Sequence, residues 1–340
     1  MSVSHAAQTG EPLEFEGLGL ACPTCVAAAL SPVLDQRGLV LVEARGSVLR
    51  RERPALARYA VTARGQGGRV ELAVIGKGVR RHSSPADLER VFELMRALWE
   101  GGFGRDPRLT IAEPLALVAD PPTLLQAEVP GETLEPWLDN PLPAMGSVRL
   151  AGRWLAKLHD FDTGSLRAVG SVDEESKLLA CAERISRLCP TQAERPYLLA
   201  RRLSSLLGEL RQQACVLTHG DFQAGNIIVS GRRLAGIDFD HAALAPAARD
   251  LGYFAAQALT RIYARTGSMT AGWPWGAALR DEYLEHRPGG DRGFSTYLAR
   301  TILEVLYYQL GKTPDAAMPR VPAWLDWCED ALVLAERDQR

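Results

Sequence analysis

The stretch LTHGDFQAGNIIVSGRRLAGIDFD, residues 217–240, decides how this chain folds. Two short β-rich runs, NIIVSG and RLAGIDFD, lie around Gly231 and predict a β-hairpin. Polar residues precede the first run, and acidic residues end the second. Because a hairpin brings its outer ends together, we expect these polar side chains to meet at one edge of the hairpin.

The polar residues that should meet are Asp221, Asn226 and Asp238. Mg2+ prefers oxygen ligands, usually one or two carboxylates together with phosphate oxygens and water. We therefore predict Asn226 and Asp238 as magnesium ligands and Asp221 as the group that takes a proton from an attacking hydroxyl. The simpler alternative is a turn between two strands that His219 and Asp221 cap.

Length and composition limit the classes of protein to which this hairpin can belong. A chain of 340 residues exceeds the roughly 100 to 200 residues of a typical domain, so two lobes are expected. The net charge of −2, with 39 basic and 41 acidic residues, argues against a nucleic-acid partner. No apolar run approaches the roughly 18 residues of a membrane span, and the N-terminus lacks a signal-peptide pattern, so we expect a cytoplasmic protein without a membrane partner.

The six cysteines are too few and too scattered for a disulfide framework. Cys22 and Cys25 form a CxxC pair, but no second CxxC or HxxxH pattern completes a zinc site. The segment CPTCVAAAL does not clearly supply the strand and helix of a thioredoxin-like redox motif. Ordinary reduced thiols are therefore expected.

The first part of the chain predicts a small antiparallel sheet with one helix. After a polar lead-in over residues 1 to about 12, three β-rich runs follow from Leu39 onward, LVLVEA, ARYAVTAR and RVELAVIGK. The segment SSPADLERVFELMRALWEGGF predicts a helix that Ser84 caps and that Gly101 and Gly102 end. Two further runs, IAEPLALVA and TLLQAEVPG, complete a predicted sheet of five strands.

The second part of the chain is predominantly helical and carries the hairpin. Apolar residues recur at helical spacing in SVRLAGRWLAKLHDF, ESKLLACAERISRL and YLLARRLSSLLGELRQQ, and three or so more helices follow the hairpin. Pro130 and Gly131 form a break between the two parts. The predicted organisation is a β-rich nucleotide-binding lobe over residues 1–125, a linker over 126–131 and a helical lobe over 132–340.

Together these motifs resemble the aminoglycoside phosphotransferase and choline kinase family, which has the protein-kinase-like fold. His219, Asp221 and Asn226 match the family's HxDxxxxN element, and IDFD at residues 237–240 matches its following Asp element. The resemblance implies an α+β fold of two lobes, a small antiparallel β-sheet lobe with one helix and a larger, mainly helical lobe with the catalytic hairpin. It also implies ATP and Mg2+ as cofactors.

The resemblance assigns roles by matched position in the second lobe. Asp221 resembles the catalytic base, and Asn226 and Asp238 resemble the magnesium ligands. Asp250 in PAARDLG resembles the structural acid. His219 is expected to brace the catalytic loop rather than to contact the substrate. Four matched positions favour this assignment over a capped turn.

The first lobe supplies the residues that the family uses to bind the nucleotide. Lys77 in VIGKGVR resembles the lysine that pairs with the nucleotide phosphates, although a lysine taken alone is more often on the surface. Its partner should be a helix acid; Glu93 matches the family spacing, and Glu89 shares its helix face. LLQAEVPG resembles the family's linker, in which Ala127 and Val129 would offer main-chain groups to adenine. A buried edge strand would use the same residues.

The chain departs from protein kinases at two places. No GxGxxG motif follows the first strand; GSVLRRERPA stands there from Gly46, which leaves open which amides cover the phosphates. Asp240 stands where protein kinases carry glycine, which argues against a eukaryote-like protein kinase.

The charge of the expected substrate cover bears on the acceptor. From Asp160 to Gln212, eight acidic and eight basic residues leave no excess charge, so a strongly cationic substrate is not favoured. Aromatic residues near the C-terminus could cage a quaternary ammonium or stack on a sugar, although core packing is their simpler use.

We therefore predict an ATP- and Mg-dependent phosphotransferase whose partner is a hydroxylated small molecule, such as an amino-alcohol, a sugar or an aminoglycoside-like compound. The alternatives are a kinase of Ser or Thr in a peptide and a catalytically inactive nucleotide-binding scaffold. The sequence leaves the acceptor and the oligomeric state open.

Overall fold

A computed structural model describes residues 12–139, 141–165, 173–210 and 212–338. The chain divides into two compact units, Met1–Pro130 and Gly131–Arg340. The predicted α+β architecture is confirmed, with an antiparallel sheet in the first unit and mainly helices in the second. Apart from Pro12, the predicted polar lead-in lies outside the described residues.

The first unit is built around a five-stranded antiparallel sheet. The helices of this unit are α1 (Pro12–Gly17), α2 (Pro23–Gln36) and α3 (Pro85–Leu98). The strands of the sheet are β1 (Val40–Arg50), β2 (Leu56–Gly65), β3 (Gly68–Gly78), β5 (Pro114–Ala119) and β6 (Pro122–Ala127), and the short strand β4 (Leu109–Ile111) is not part of this sheet. The strand order in the sheet is β1-β2-β3-β6-β5, so the five predicted runs pair as expected.

Helix α3 begins where its sequence signals place it. The Ser84 Oγ atom accepts a hydrogen bond from the Asp87 amide at 3.3 Å, and the Asp87 carboxylate accepts one from the Ser84 amide at 2.7 Å. This reciprocal pair satisfies two amides that the first turn of a helix leaves open. The helix ends at Leu98, and Gly102, with φ 123°, lies in the turn that follows.

The first unit also contains helices that the prediction of a single helix omitted. Helix α2 buries Val26, Leu30 and Leu34, which recur every four residues on one face, in the core beneath the sheet. Cys22 caps this helix, and its Sγ atom lies 3.0 Å from that of Cys25. The other four cysteines, Cys181, Cys189, Cys215 and Cys328, are free thiols.

The second unit combines helices with short strands. Its helices are α4 (Pro141–His159), α5 (Glu174–Leu188), α6 (Glu194–Leu210), α7 (Ala248–Thr266), α8 (Trp273–His286), α9 (Phe294–Lys312), α10 (Pro314–Ala317) and α11 (Val321–Asp338). Its strands are β7 (Glu132–Thr133), β8 (Val216–Thr218), β9 (Ile227–Ser230), β10 (Arg233–Gly236) and β11 (Ala243–Ala245). The predicted hairpin is β9 and β10, paired from Ile227↔Gly236 to Ser230↔Arg233.

Helix α4 packs directly beneath the hairpin. The Trp154 indole stacks on Phe222 with ring centroids 5.5 Å apart and an angle of 4° between the planes. A Cβ atom at Gly236 would lie 2.3 Å from the Trp154 ring, so only glycine allows this approach. The contact fixes the hairpin on α4.

The C-terminal aromatic residues serve mainly as core. Trp275, Tyr283 and Trp324 are buried, whereas Trp273 and Tyr308 are exposed. Among the helices that the structure describes, none is both long and apolar enough to cross a membrane.

Candidate active site

The turn between β8 and β9, residues 219–226, carries the predicted catalytic residues and is named the catalytic turn. Its backbone requires glycine near its start. Gly220 has φ +80°, a conformation that L side chains rarely adopt. A Cβ atom there would lie 1.9 Å from the His241 carbonyl oxygen. The close approach holds the turn against the segment that follows β10.

Asp250 anchors this turn from α7. Its carboxylate is fully buried and accepts hydrogen bonds from the amides of His219 at 2.7 Å and Gly220 at 2.8 Å. Burial acts to raise the pKa of Asp250, but the hydrogen bond from His159 and nearby positive groups outweigh it and lower the pKa. Asp250 is therefore ionised, which is the structural role that the resemblance implied.

His159 on α4 completes the anchor. Its Nε2 atom lies 3.1 Å from Asp250 Oδ2, and its Nδ1 atom lies 2.9 Å from the Tyr283 hydroxyl. Burial lowers the pKa of His159, so the imidazole is neutral. A neutral ring that faces a carboxylate through Nε2 must donate from Nε2, and Nδ1 then accepts from Tyr283.

Asp221 is held by side chains on three sides. The Asn226 Nδ2 atom donates to the Asp221 carbonyl oxygen at 2.8 Å and to its Oδ2 atom at 2.9 Å. The Gln223 Nε2 atom donates to Oδ1 at 2.9 Å, and the Tyr253 hydroxyl lies beside the carboxylate, where it acts to lower the pKa of Asp221. Burial raises the pKa of Asp221, with a further contribution from the nearby Asp238 charge.

The hairpin brings the backbones of the two predicted metal ligands, Asn226 and Asp238, close together. The Ile237 amide donates to the Asn226 carbonyl at 3.0 Å, so the end of β10 lies beside the start of β9. Asp238 then adopts a left-handed conformation, with φ 68°, which no other non-glycine residue in the described ranges shares. Such backbone strain in a functional hairpin is typical of residues that must present a side chain in one direction.

The oxygen donors of this pair are of the kind that a magnesium ion prefers. Both amide hydrogens of Asn226 are directed to Asp221, so Oδ1 is the atom that Asn226 can offer to a cation. One amide oxygen and the Asp238 carboxylate match the small number of protein ligands that Mg2+ takes when phosphate oxygens and water complete its shell. Within the described ranges, no three His, Cys, Asp or Glu residues form a cluster that could hold a metal ion.

His219 is buried beneath the turn. Its Nε2 atom lies 2.9 Å from the Ile237 carbonyl oxygen, and its ring centroid lies 4.9 Å from that of Phe239. These contacts join the catalytic turn to the end of β10 and agree with a bracing role rather than contact with substrate.

A buried ion-pair network supports the other side of the turn. Arg249 donates from Nη1 to Thr218 Oγ1 at 2.9 Å, and its Nε atom lies 3.6 Å from Glu174. Glu174, at the start of α5, accepts a hydrogen bond from Arg300 Nε at 2.8 Å. Burial acts to raise the pKa of Glu174, but the charges of Arg300 and Arg249 lower it. The network therefore links α5 and α9 to the strand that leads into the catalytic turn.

The predicted nucleotide-binding residues lie in the first unit. Lys77 is buried on β3, where it pairs with Leu124 of β6. Glu93 and Glu89 are both exposed on α3, and their pairing with Lys77 stays a prediction. The Ala127 amide donates to the Glu113 carbonyl at 2.8 Å, so any main-chain contact of Ala127 with adenine is limited to its carbonyl oxygen. Within the described chain, the Val129 amide donates no hydrogen bond.

Several residues around Asp221 were missed by the sequence analysis. Tyr253 lies three residues after Asp250, one helical turn along α7, and this spacing could have identified it. Gln223 lies two residues after Asp221 in the motif itself. His159 and Arg249 offered no comparable signal, because their roles depend on contacts between distant segments.

A cavity of about 670 Å³ opens beside the catalytic turn within the second unit. Gln223 lines it from the turn, Gln257 and Arg261 line it from α7, and Gln309 and Trp324 line it from α9 and α11. Because Gln223 also donates to Asp221, the predicted base lies one side chain behind the cavity wall. A small molecule in this cavity could bring a hydroxyl to Asp221.

Comparison with known proteins identifies the wider group. A family model described as the phosphotransferase enzyme family matches residues 41–293. No curated protein sequence matches the chain at a significant level.

Solved structures share the fold at low sequence identity. A choline/ethanolamine kinase family protein from Mesorhizobium loti has a TM-score of 0.57 and 15% identity, over 82% of this chain and 87% of that one. A glucosamine kinase has a TM-score of 0.51 and 17% identity, over 96% and 100% of the two chains. The ADP-bound aminoglycoside phosphotransferase APH(2'')-Ib has a TM-score of 0.50 and 16% identity, over 86% and 92%. The predicted fold is thereby confirmed.

Proposed function

The chain belongs to the phosphotransferase enzyme family, and from this membership we propose that it transfers the γ-phosphoryl group of ATP to a hydroxyl of a small molecule. The membership confirms the resemblance that His219, Asp221 and Asn226 carry. The observation that supports the proposal most strongly is the setting of Asp221, whose carboxylate is held by Asn226, Gln223 and Tyr253 beside a cavity of small-molecule size.

In the proposed reaction, Asp221 accepts the proton of the acceptor hydroxyl as the acceptor oxygen forms a bond to the γ-phosphorus. The bond between the γ-phosphorus and the oxygen that bridges to the β-phosphorus breaks, and ADP leaves with that oxygen. Burial raises the pKa of Asp221 and so makes it a stronger proton acceptor than an exposed aspartate. Asn226 and Tyr253 orient the carboxylate.

Asn226 and Asp238 are the residues that would hold Mg2+, through the amide oxygen and the carboxylate. When bound, the ion offsets the negative charge of the nucleotide phosphates. The left-handed backbone at Asp238 directs its carboxylate away from the path of an ordinary strand.

The first unit would bind the nucleotide. We assign the phosphate contact to Lys77, its helix partner to Glu93, and the adenine contacts to the Ala127 carbonyl and the Val129 amide. A carbonyl acceptor and an amide donor two residues apart match the neighbouring donor and acceptor on the edge of adenine.

Replacement of Asp221 tests the proposal. The variant Asp221→Asn should lower the rate of ADP formation with an acceptor by about 10²- to 10⁴-fold, because it removes the general base. The matched control is Asp281→Asn, an exposed residue of α8. Calorimetry should find Mg-dependent ATP affinity in Asp221→Asn close to that of the parent. Equal acceptor-dependent rates in Asp221→Asn and the parent would refute the assignment of Asp221 as the base. ATP binding by the parent without any acceptor-dependent ADP formation would favour a scaffold.

A kinase of Ser or Thr in a peptide is the second candidate function. The same catalytic turn would serve it, and Asp240 at the protein-kinase glycine position counts against it. Phosphoryl transfer to serine- and threonine-containing peptides, with none to free hydroxylated metabolites, would favour this candidate.

A further inference from the structure

The cavity in the second unit is connected to Asp221 by two glutamines. Gln223 lines the cavity and donates to Asp221 Oδ1 at 2.9 Å. Gln257 also lines it and lies beside Tyr253, whose hydroxyl lies beside the Asp221 carboxylate. An acceptor with its hydroxyl at Asp221 would therefore place the rest of its structure against the cavity wall.

The wall of this cavity carries an excess of positive charge. Its charged residues, among those that the structure describes, are two acids and four bases, a difference of 4 − 2 = +2: Glu135, Asp139, Arg261, Arg265, Lys312 and Arg320. Both acids already face bases on α7, because Arg261 lies 2.5 Å from Glu135 and Arg265 lies 3.3 Å from Asp139. The acids are therefore poorly placed to attract a cationic ligand.

The remaining two bases, Lys312 and Arg320, differ from Arg261 and Arg265 in their surroundings. Within the described ranges, neither Lys312 nor Arg320 forms an ion pair. Arg320 donates weakly to the Ala264 carbonyl, at 3.5 Å, and lies over the Tyr263 ring at 5.7 Å. Lys312, at the end of α9, is exposed. Two uncompensated positive charges thus border the cavity.

Buried hydrogen-bond donors point to the same chemistry. Trp324 is 3% exposed, and within the described chain neither its Nε1 atom nor the buried Nε atom of Arg261 has a hydrogen-bond partner. An indole N–H and a guanidinium N–H can only donate. A buried donor without an acceptor lowers stability, so a ligand that supplies acceptor oxygens would be favoured at this wall.

We infer, resting on the phosphotransferase function proposed above, that the acceptor carries an anionic group, a carboxylate or a phosphate, in addition to its hydroxyl. Lys312 and Arg320 attract the anion, and Trp324 donates to it. The Arg261 and Arg265 ion pairs exclude polycations, because they neutralise the only acids described in the wall. The balanced charge of residues 160–212 is consistent with this selectivity.

A matched set of sugars tests the inference through binding alone. Glucose, glucosamine, glucuronate and glucose 6-phosphate differ mainly in charge, and each is titrated into the full chain by calorimetry. We expect the two anions to bind about tenfold more tightly than glucose, the effect of one or two screened charge pairs. Glucuronate and glucose 6-phosphate distinguish a carboxylate from a phosphate. Failure of both anions to bind, or equal binding of glucosamine, overturns the inference.

Charge-neutralising variants test the assigned residues. The double variant Lys312→Gln and Arg320→Gln should raise the Kd for the preferred anion about three- to tenfold and leave the Kd for glucose unchanged. Trp324→Phe keeps an aromatic ring but removes the N–H donor, and should also weaken binding of the anion. Arg232→Gln, exposed at the hairpin turn and outside the cavity lining, is the control. Unchanged anion binding in the double variant overturns the inference.

The same sugars, supplied with ATP and Mg2+, separate this inference from the proposed function. Preferential binding of the anions without phosphoryl transfer to any of the four sugars would count against the proposed function and leave the anion site standing. Transfer that depends on Asp221 but prefers glucose or glucosamine would overturn the anion site and leave the proposed function standing.

Discussion

Asn226 donates both hydrogens of its side-chain amide to Asp221, one to the backbone carbonyl at 2.8 Å and one to the carboxylate at 2.9 Å. One side chain thus fixes both the backbone and the carboxylate of the proposed base. The same geometry leaves the amide oxygen for a cation. Asn226 therefore joins the proposed proton-accepting and metal-binding parts of the site.

This dual role predicts a difference between two alanine variants. Asn226→Ala should lower both Mg-dependent ATP affinity and the turnover rate, because it removes a proposed ligand and frees Asp221. Asp238→Ala should mainly lower Mg-dependent ATP affinity. Loss of a residue that only supports a metal ligand costs about 10- to 100-fold in metal affinity, and loss of a direct ligand should cost at least as much. Calorimetry with and without Mg2+ gives the affinity, and single-turnover rates at saturating ATP give the chemical step. Unchanged ATP affinity in both variants would refute the ligand assignments.

Gly220 and Gly231 allow the steric requirement of the catalytic turn to be separated from backbone strain. Both have positive φ, +80° and +59°, but only Gly220 has a backbone oxygen within 4 Å of the position of a Cβ atom. Gly231→Ala should cost about 1–2 kcal/mol of unfolding free energy, from the left-handed conformation alone. Gly220→Ala should cost clearly more, because the His241 carbonyl must also move. Denaturant unfolding measures both values, and equal losses would contradict the steric account.

The buried pair of His159 and Asp250 predicts how stability depends on pH. The pKa of His159 is lowered from its ordinary value of 6.5, so as pH falls below 6.5 the unfolded chain takes up a proton that the folded chain refuses. The pKa of Asp250 is lowered from 3.8, so a second loss of stability follows below pH 3.8, where the unfolded carboxylate protonates first. Well above pH 6.5, where the imidazole is neutral in both states, neither group changes its charge on unfolding.

His159→Gln should make the loss of stability below pH 6.5 shallower. Glutamine keeps an N–H donor for Asp250 but does not titrate. Thermal unfolding in steps from about pH 7 down to pH 5, the range in which histidine takes up its proton, measures the slope. His82→Gln, an exposed residue in the first unit, is the control. A slope as steep in His159→Gln as in the parent would show that another group controls the acid transition.

The parts of the fold that the sequence predicted are those with strong local signals. Helix α3 has an apolar stripe and a reciprocal cap between Ser84 and Asp87, and its start is fixed by contacts three residues apart. The five strands of the first unit follow from short β-rich runs between turn residues. The hairpin was predicted from two β-rich runs that lie around Gly231.

Helix α2 was missed because its sequence gives a conflicting signal. Pro32 lies inside it, and proline removes a backbone donor and normally ends a helix. The burial of Val26, Leu30 and Leu34 beneath the sheet overrides this local cost. Tertiary packing of this kind cannot be deduced from one segment alone.

The contacts that support the candidate site could not be predicted from the sequence for a related reason. His159 and Asp250 are 91 residues apart, and nothing in either segment indicates the other. The charge of the cavity wall could not be predicted either. The wall consists of residues from 135–139, α7, α9 and α11, whereas the sequence analysis expected the substrate to contact residues 160–212.

Phe222 and Gln223 are adjacent in the chain but have different surroundings in the catalytic turn. Phe222 is fully buried against Trp154, whereas Gln223 lines the cavity. A substitution at position 223 would therefore change the cavity wall and remove one hydrogen bond to Asp221, but it would leave the packing of Phe222 on Trp154 intact. A mutagenesis library aimed at new substrates should vary Gln223 together with the cavity side of α7 and keep Phe222 constant.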